Sequence, residues 1–258
     1  MRLVNLGCGT VFHPDWENYD LCPSDPAVRH LDLLNEWPFE EESCDAVYHS
    51  HVLEHMPRGR VPGLLARCRE ALRAGGVIRI AVPDLEGICR DYLKSLDAAR
   101  RGKRGADVTH EWMTIELIDQ MVRNVSGGAM GRLWASRPLE ARETIVRRMG
   151  PDAEKWIDFF EERYAAGKAA PEPKRLFLDL PDPSVEEEAA FRQEGEVHRW
   201  MYDEVSLGKL LEGAGFGKIR RRDARSSAIP RFDGYRLDRT EAGVVRKPDS
   251  LFMEAERV

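Results

Sequence analysis

The sequence lacks paired cysteines and long apolar runs. Its cysteines are odd in number and form no Cys-x-x-Cys pair: Cys8, Cys22, Cys44, Cys68 and Cys89. This pattern argues against a disulfide framework and against a zinc knuckle. No apolar segment approaches the roughly 18 residues of a membrane helix, and no signal peptide is recognisable. We therefore expect a cytoplasmic protein that binds no membrane and holds no metal.

A surplus of basic residues is also absent. The 258 residues carry a formal net charge of −6, so the chain is a poor ligand for a phosphate backbone and we expect no nucleic-acid partner. One local basic run, residues 218–225, is interpreted as a solvated strand face and its exit turn, with an anion site for a substrate as the alternative. The length suits one large domain with an insertion or two small domains.

The sequence does contain short strand patterns that end in glycine or acidic residues. Residues 2–5 predict a first strand, which runs into the glycine loop of residues 6–10. Residues 18–20 and 30–33 are interpreted as the ends of a second and a third strand, and residues 45–50 as a fourth. Glycines directly after a strand let the backbone approach a ligand closely, so the first strand end is a candidate binding site.

A helix and a further strand follow the fourth strand. Apolar residues between 61 and 72 recur at helical spacing, and Gly75-Gly76 is the predicted helix stop. Residues 77–82 are the predicted fifth strand, closed by Pro83-Asp84. Strands that alternate with helices in this way predict a parallel sheet.

The end of the chain returns to the same pattern. Asp203 is the predicted N-cap of a helix that ends at Gly213 and Gly215. Residues 216–222 and 250–256 are the predicted sixth and seventh strands. We expect residues 1–84 and 200–258 to form one α/β core.

The residues between 85 and 199 show helical rather than strand patterns. Ile115, Ile118, Val122 and Val125 recur at helical spacing, and Pro151 is well suited to the first turn of another helix. A proline-rich connection, residues 170–184, follows. We interpret this region as a helical insertion that acts as a lid or substrate region, with self-association into a homodimer as the alternative.

Six motifs in this order resemble the class I SAM-dependent methyltransferases. They are VNLGCGT (4–10), NYD (18–20), LDL (31–33), DAVYHSHVLEHM (45–56), LRAGGVIRIAVPD (72–84) and LLEGAGF (210–216). The chain looks most similar to compact bacterial enzymes of this class that act on small molecules. The resemblance implies a Rossmann-like, seven-stranded, mostly parallel sheet with a helical insertion after strand five. It also implies S-adenosyl-L-methionine (SAM) as the cofactor.

The resemblance also implies roles for individual residues. Gly7, Cys8 and Gly9 would line the methionine part of SAM, Asp20 would accept hydrogen bonds from the ribose hydroxyls, and Asp32 would meet the adenine. Trp16 would flank the cofactor or, alternatively, pack in the core. The complete predicted cofactor set is Asn5, Gly7, Cys8, Gly9, Thr10, His13, Trp16, Asp20, Asp32, Leu33, Ser50, His51 and His55.

Three residues are candidates for the chemistry of methyl transfer: His51, Asp84 and His198. Asp84 is alternatively a helix N-cap, and His198 a packing or surface histidine. The predicted substrate-binding residues are Trp200, Tyr202, Arg246 and Lys247. We expect the acceptor to be an oxygen or nitrogen nucleophile of a small molecule, such as a sugar or an intermediate of natural-product biosynthesis.

Three other functions remain as alternatives. A nicotinamide-binding protein would have a third glycine where Phe12 stands. Residues 51–55 spell His-x-x-Glu-His, which is the motif of a family of zinc hydrolases if the segment is helical. The last alternative is a regulatory protein that binds SAM without turnover.

Overall fold

The computed structural model describes residues 1–168 and 182–258. The predicted proline-rich connection lies outside the described residues over positions 170–181. The described chain divides into two compact units. The first, here called the sheet unit, contains residues 1–84, 200–245 and 250–258. The second, the helical unit, contains residues 85–199 together with the tetrapeptide 246–249, which the sequence prediction had placed in the core.

The sheet unit is built on seven strands. They are β1 (Leu3–Leu6), β2 (Glu17–Asp20), β3 (Val28–His30), β4 (Cys44–Ser50), β5 (Leu72–Pro83), β6 (Phe216–Arg222) and β7 (Ser250–Arg257). Their order is β3-β2-β1-β4-β5-β7-β6. Strands β1 to β5 are parallel, whereas β7 is antiparallel to both of its neighbours. The predicted Rossmann-like, mostly parallel sheet is therefore confirmed.

The helices fall into two sets by unit. The sheet unit contains α1 (Val61–Ala71) and, towards the end of the chain, α8 (Glu204–Gly213). The helical unit contains α2 (Leu85–Arg100), α3 (Ala106–Val122), α4 (Gly128–Ala135), α5 (Arg142–Met149), α6 (Pro151–Ala165) and α7 (Val185–Phe191). In the described part of the chain, no helix is long and apolar enough to cross a membrane.

The two faces of the sheet are covered in different ways. One face buries the apolar side chains of β1, β4, β5 and β7 against α1 and α8, including Leu64, Leu65 and Leu207. The other face buries side chains such as Tyr48 against Trp16 and a C-terminal segment that contains Phe232. Asp203 caps α8 as predicted, because its carboxylate accepts a hydrogen bond from the Ser206 amide at 2.7 Å.

The predicted end of α1 was wrong. The helix ends at Ala71, and Leu72 is already extended. Gly75-Gly76 lies within β5, where Leu72 pairs with Cys44 and the next pair joins Val77 to Ala46. The extra residues of β5 bulge there, and Gly75 takes a φ of +75°. Apolar spacing alone did not reveal that the sheet ladder had already begun.

The sequence predictions for the helical unit agree with the structure only in part. Pro151 begins α6 as predicted. Within α3, Ile115 is buried, whereas Ile118 and Val122 are exposed and Val125 lies beyond the end of the helix. Around Ile115, the core of α3 is formed instead by Trp112 and Met113.

Candidate functional site

The glycine loop joins the end of β1 to the segment that follows β4. Gly7 has a φ of +63°, and a Cβ placed there would lie 2.4 Å from Cγ2 of Val52. A side chain at Gly7 is therefore excluded by both conformation and space. Gly9 has a φ of +53°, and nothing lies within 4 Å of a Cβ built on it. The loop thus keeps open room beside its backbone.

Asp20 is tied directly to this loop. Its carboxylate accepts hydrogen bonds from the amide of Gly9 at 2.8 Å and from the amide of Cys22 at 2.9 Å. Each carboxylate oxygen has a further lone pair, so the group can still accept hydrogen bonds from a diol. The structure therefore brings together the two features, Gly9 and Asp20, that the sequence assigned to one ligand.

Asp32 is held in a turn of its own. Its carboxylate accepts hydrogen bonds from the Leu34 amide at 2.9 Å and from the Asn35 side chain at 2.7 Å. The hydrogen bond from the Leu34 amide is the main reason why the pKa of Asp32 is lowered. The carbonyl of Leu33 accepts a hydrogen bond from Arg67 of α1 at 2.6 Å. Asp32 is therefore a fixed anion at physiological pH.

Asn5 organises the connection between β1 and β2. Its side chain is buried and donates to the carbonyl of Val11 at 3.2 Å and to the Asn18 side chain at 3.1 Å. Asn18 in turn donates to the carbonyls of His13 at 2.9 Å and Trp16 at 2.7 Å. Asn5 thus supports the loop from behind.

The remaining predicted loop residues are placed differently from one another. Trp16 is buried in an aromatic cluster with Tyr48, its ring centroid 6.0 Å away, so the structure favours the packing alternative for Trp16. His13 packs edge-on against Tyr235, and Thr10 is exposed. Burial raises the pKa of Cys8 to about 11, which keeps it a thiol.

His51 is the most constrained of the predicted residues. It follows β4 with a φ of +56°, which is rare for a residue with a side chain. Its amide donates to the carbonyl of Ala81 in β5 at 2.8 Å. The ring lies between two polar side chains: Nδ1 is 3.0 Å from Oε1 of Glu54, and Nε2 is 2.8 Å from Oγ of Ser250. Glu54 is fully buried.

This arrangement has a direct chemical meaning. A carboxylate beside Nδ1 favours the tautomer with a proton on that nitrogen, which leaves Nε2 as an acceptor. A hydroxyl lies at Nε2, and it belongs to Ser250, the first residue of β7. His51 can therefore take a proton from a hydroxyl at Nε2, and Glu54 can stabilise the resulting positive charge. Sequence reasoning missed Glu54 and Ser250 as site residues.

The zinc-hydrolase reading of residues 51–55 does not match this geometry. The motif needs a helix that places its two histidines on one face. Here only Leu53–His55 form a short 3-10 turn, and His51 is left-handed and faces Glu54 itself. His55 is half-buried and ends the 3-10 turn.

Asp84 and the aromatic residues after the insertion also lie in the sheet unit. Asp84 forms an ion pair with Arg221 at 2.8 Å and continues the ladder of β5 by a bridge to Tyr202. The Arg221 guanidinium competes for the carboxylate that was predicted to act in catalysis. Two other members of the basic run are also paired with acids: Lys218 contacts Glu256 at 2.6 Å, and Arg222 contacts Glu254 at 2.9 Å.

The other candidates belong to the helical unit. His198 is buried, its amide donates to the carbonyl of Gln120 at 2.8 Å, and its Nε2 lies 3.1 Å from the Gln120 amide nitrogen. Arg246 has its carbonyl 2.5 Å from the position of a Cβ at Gly150. Arg246 and Lys247 are both half-buried. The roles of these three residues stay predictions.

One stretch of the sheet unit matches a known family model. A family model described as a methyltransferase domain matches residues 17–80. The chain therefore carries the core of a methyltransferase domain within its sheet unit. SAM is the cofactor that such a domain implies, and the open glycine loop and the adjoining Asp20 fit it. No curated protein matches the chain.

Several solved structures are similar to this chain at low identity. A SAM-dependent methyltransferase from Archaeoglobus fulgidus is 11% identical, with 99% of this chain and 86% of that chain covered and a TM-score of 0.41. A possible histamine N-methyltransferase from Thermotoga maritima is 11% identical, with 100% and 82% covered and a TM-score of 0.39. A methyltransferase from Mesorhizobium loti is 20% identical, with 34% and 49% covered and a TM-score of 0.27.

Proposed function

We propose that this chain is a SAM-dependent methyltransferase that transfers a methyl group to an oxygen nucleophile of a small molecule, with His51 as the base. The observation that carries the proposal is the placement of His51 between Glu54 and the Ser250 hydroxyl. SAM supplies a methyl group on a positively charged sulfur, which makes that carbon electrophilic. What the protein has to supply is alignment, exclusion of water and, for a hydroxyl, a place for the proton.

The base favours oxygen over nitrogen as the acceptor atom. An amine needs only to be neutral, whereas a hydroxyl reacts well when its proton is removed as the new bond forms. Nε2 of His51 already lies at hydrogen-bonding distance from a hydroxyl, at 2.8 Å. As the acceptor oxygen gains the methyl group, its proton passes to Nε2, and the buried Glu54 carboxylate stabilises the imidazolium. The acceptor hydroxyl would replace Ser250 at Nε2.

The location of the base supports the same function. His51 follows the carboxyl end of β4, and Ser250 lies opposite Pro83 at the carboxyl end of β5. Ligands of open α/β sheets bind outside the carboxyl ends of their strands. The glycine loop and Asp20 stand at the same edge, because β1 and β2 are parallel to β4. Cofactor and base thus belong to one edge of one sheet.

We also propose that the acceptor is a small molecule and that the helical unit governs its choice. The net charge of −6 disfavours a nucleic acid. The insertion begins at residue 85, directly after the carboxyl end of β5, which is where a lid would start. Hydrogen exchange tests this role: protection in the helical unit should rise with S-adenosylhomocysteine and acceptor. If protection in the helical unit is unchanged by ligands and falls when the protein is diluted, the unit forms a homodimer interface instead.

Cofactor binding is tested by calorimetric titration with S-adenosylhomocysteine. Asp20→Ala should weaken binding by about 10- to 100-fold, since a charged acceptor of two hydrogen bonds is lost. Asp15→Ala is the matched control, because Asp15 is an exposed acid of the neighbouring loop, and it should bind as the wild type does. Absence of saturable binding by the wild-type protein would overturn the proposal.

The base is tested with His51→Asn. Asparagine tolerates the left-handed backbone at this position, so the turn should be preserved. We expect kcat to fall by about 10²- to 10⁴-fold with hydroxyl acceptors, while the affinity for S-adenosylhomocysteine changes little. Mass spectrometry of a metabolite mixture would identify the methylated product. Tight cofactor binding with no methylated product from any mixture would instead indicate the regulatory alternative.

A further inference from the structure

A pocket lies in the sheet unit, beside the start of α8. Its volume is about 400 Å³, and its walls include Arg58, Trp200, Tyr202, Asp203 and Lys209. The main-chain amide of Trp200 donates to the carbonyl of Glu54 at 3.3 Å. Trp200 therefore links the pocket to Glu54, the residue that flanks the proposed base.

The pocket carries two positive charges, Arg58 and Lys209, that form no ion pair within the described residues. The Arg58 guanidinium stacks on the Trp200 ring, 3.9 Å from its centroid. Among the residues that the structure describes, no carboxylate lies within ion-pair distance of Arg58 or Lys209. The one acid in the wall, Asp203, is engaged as the N-cap of α8 through the Ser206 amide.

A buried hydroxyl supplies the second observation. Tyr202 is fully buried, and its hydroxyl has no hydrogen-bond partner in the described part of the chain. Leaving such a group unsatisfied costs about 1–3 kcal/mol. Burial is the main reason why the pKa of Tyr202 rises to about 12, so the hydroxyl keeps its proton at neutral pH. The Glu54 carboxylate raises that pKa further, and Arg58 lowers it. The hydroxyl is thus a donor without an acceptor, near one acid and one cation.

We propose that this pocket binds an anionic group of the methyl acceptor, a phosphate or a carboxylate. Stacking holds the guanidinium plane of Arg58 on Trp200 and leaves its N–H edge free to contact two oxygens of the anion. Lys209 adds a second positive charge, and the Tyr202 hydroxyl donates to a third oxygen or shares one. The anion anchors the acceptor, whose hydroxyl then reaches His51. This inference rests on the proposed function.

The fluorescence of Trp200 provides a direct test. The wild-type protein would be titrated with inorganic phosphate and, separately, with acetate at constant ionic strength. We expect a saturable change in fluorescence with at least one of the two anions. The anion that causes the change identifies the class of the acceptor's anionic group. Trp200→Phe should abolish the change, which separates it from signals of the other tryptophans. A wild-type protein that responds to neither anion would overturn the inference.

Paired substitutions separate a built site from general charge. Arg58→Gln/Lys209→Gln should weaken anion binding at least about tenfold, since two charge-assisted contacts are lost. Arg60→Gln/Lys155→Gln removes the same charge from exposed positions outside the pocket and should bind as the wild type does. Equal weakening by both pairs would overturn the inference. Tyr202→Phe should also weaken binding, without any change of charge.

The same protein samples distinguish this inference from the proposed function. If S-adenosylhomocysteine binds normally and neither anion does, the anion pocket is overturned and the methyl-transfer proposal stands. If an anion binds and S-adenosylhomocysteine does not, the proposed function is overturned instead. When both bind, kinetics with a phosphorylated acceptor and its dephosphorylated counterpart should show a higher KM for the neutral compound, and an equal KM would contradict the anchoring role.

Discussion

Arg79 is a fully buried cation in the middle of β5, and its removal is the sharpest test of how the sheet unit is held together. Its side chain donates to Asp238 at 2.8 Å and to Glu254 of β7 at 2.8 Å. It also donates to the carbonyls of Asp223 at 2.7 Å and Ser226 at 3.0 Å. One guanidinium thus joins β5, β7 and the C-terminal segment that covers the sheet.

The magnitude follows from what Arg79→Met would leave behind. The side chains of Asp238 and Glu254 are only 2% and 3% exposed. The Asp238 carboxylate would remain buried without its cation, and Glu254 would keep only its ion pair with Arg222. Breaking a buried pair in this way costs about 3–5 kcal/mol, against a total stability of about 5–15 kcal/mol for a typical domain. Arg73→Met is the control: Arg73 is 55% exposed in its pair with Asp45, and its loss should cost less than about 1 kcal/mol.

The cost should also depend on pH. Burial is the main cause that raises the pKa of Asp238, while Arg79 lowers it. Without Arg79 that pKa rises further, and a carboxyl whose pKa is raised on folding stabilises the protein only while it is protonated. The free energy of unfolding that Arg79→Met loses relative to the wild type should therefore be smaller at pH 5 than at pH 8. Urea denaturation at both pH values measures this loss. A loss smaller than that of Arg73→Met, or one that increases in acid, would refute the reasoning.

Two further predictions concern the edge of the sheet. Burial lowers the pKa of His49 to about 4, so the unfolded state binds a proton that the folded state does not, and the protein should lose about 2 kcal/mol of stability between pH 7.5 and pH 5. In denaturation curves His49→Gln should lack this component and His30→Gln should keep it; equal pH slopes in all three proteins would count against it. Gly7→Ala should lower stability by about 1–3 kcal/mol through its contact with Val52 and its positive φ, whereas Gly131→Ala, with open space in α4, should raise it by about 0.5–1 kcal/mol. A neutral Gly7→Ala in thermal unfolding and calorimetry would contradict the geometry.

The sequence predicted the elements of the fold better than their boundaries. Strand β6 and the start of α6 at Pro151 lie where the patterns placed them. These features are local, because a turn, a cap or a proline is determined by residues a few positions apart. The end of α1 was predicted too late because Leu72 continues the apolar spacing of the helix while it already pairs with Cys44. Only the neighbouring strand decides between the two conformations.

The contacts of the candidate site also divide into those that could be predicted from the sequence and those that could not. The spacing of Gly9 and Asp20 is short and follows two adjacent strands, so their contact could be predicted from the motif order. The surroundings of Trp16 could not, because they come from Tyr48 and Phe232, which are distant along the chain. Glu54 was visible three residues after His51 but was considered only within the zinc-hydrolase alternative. The zinc motif requires a helix over residues 51–55, and the left-handed backbone of His51 prevents that helix.

Ser250 shows why the decisive contact was beyond sequence reasoning. It is 199 positions from His51, and it reaches the ring only because β7 is antiparallel and therefore begins at the carboxyl edge, where the parallel strands end. Four residues further along the same strand, Glu254 is fixed by Arg79. The register of β7 against β5 thus positions both the buried ion pair of Glu254 with Arg79 and the Ser250 hydroxyl at the proposed base. For this reason a change at Arg79 that lets β7 shift should disturb the site as well as the stability, although Arg79 itself lies on the opposite face of the sheet from the main core around Ile78 and Ile80.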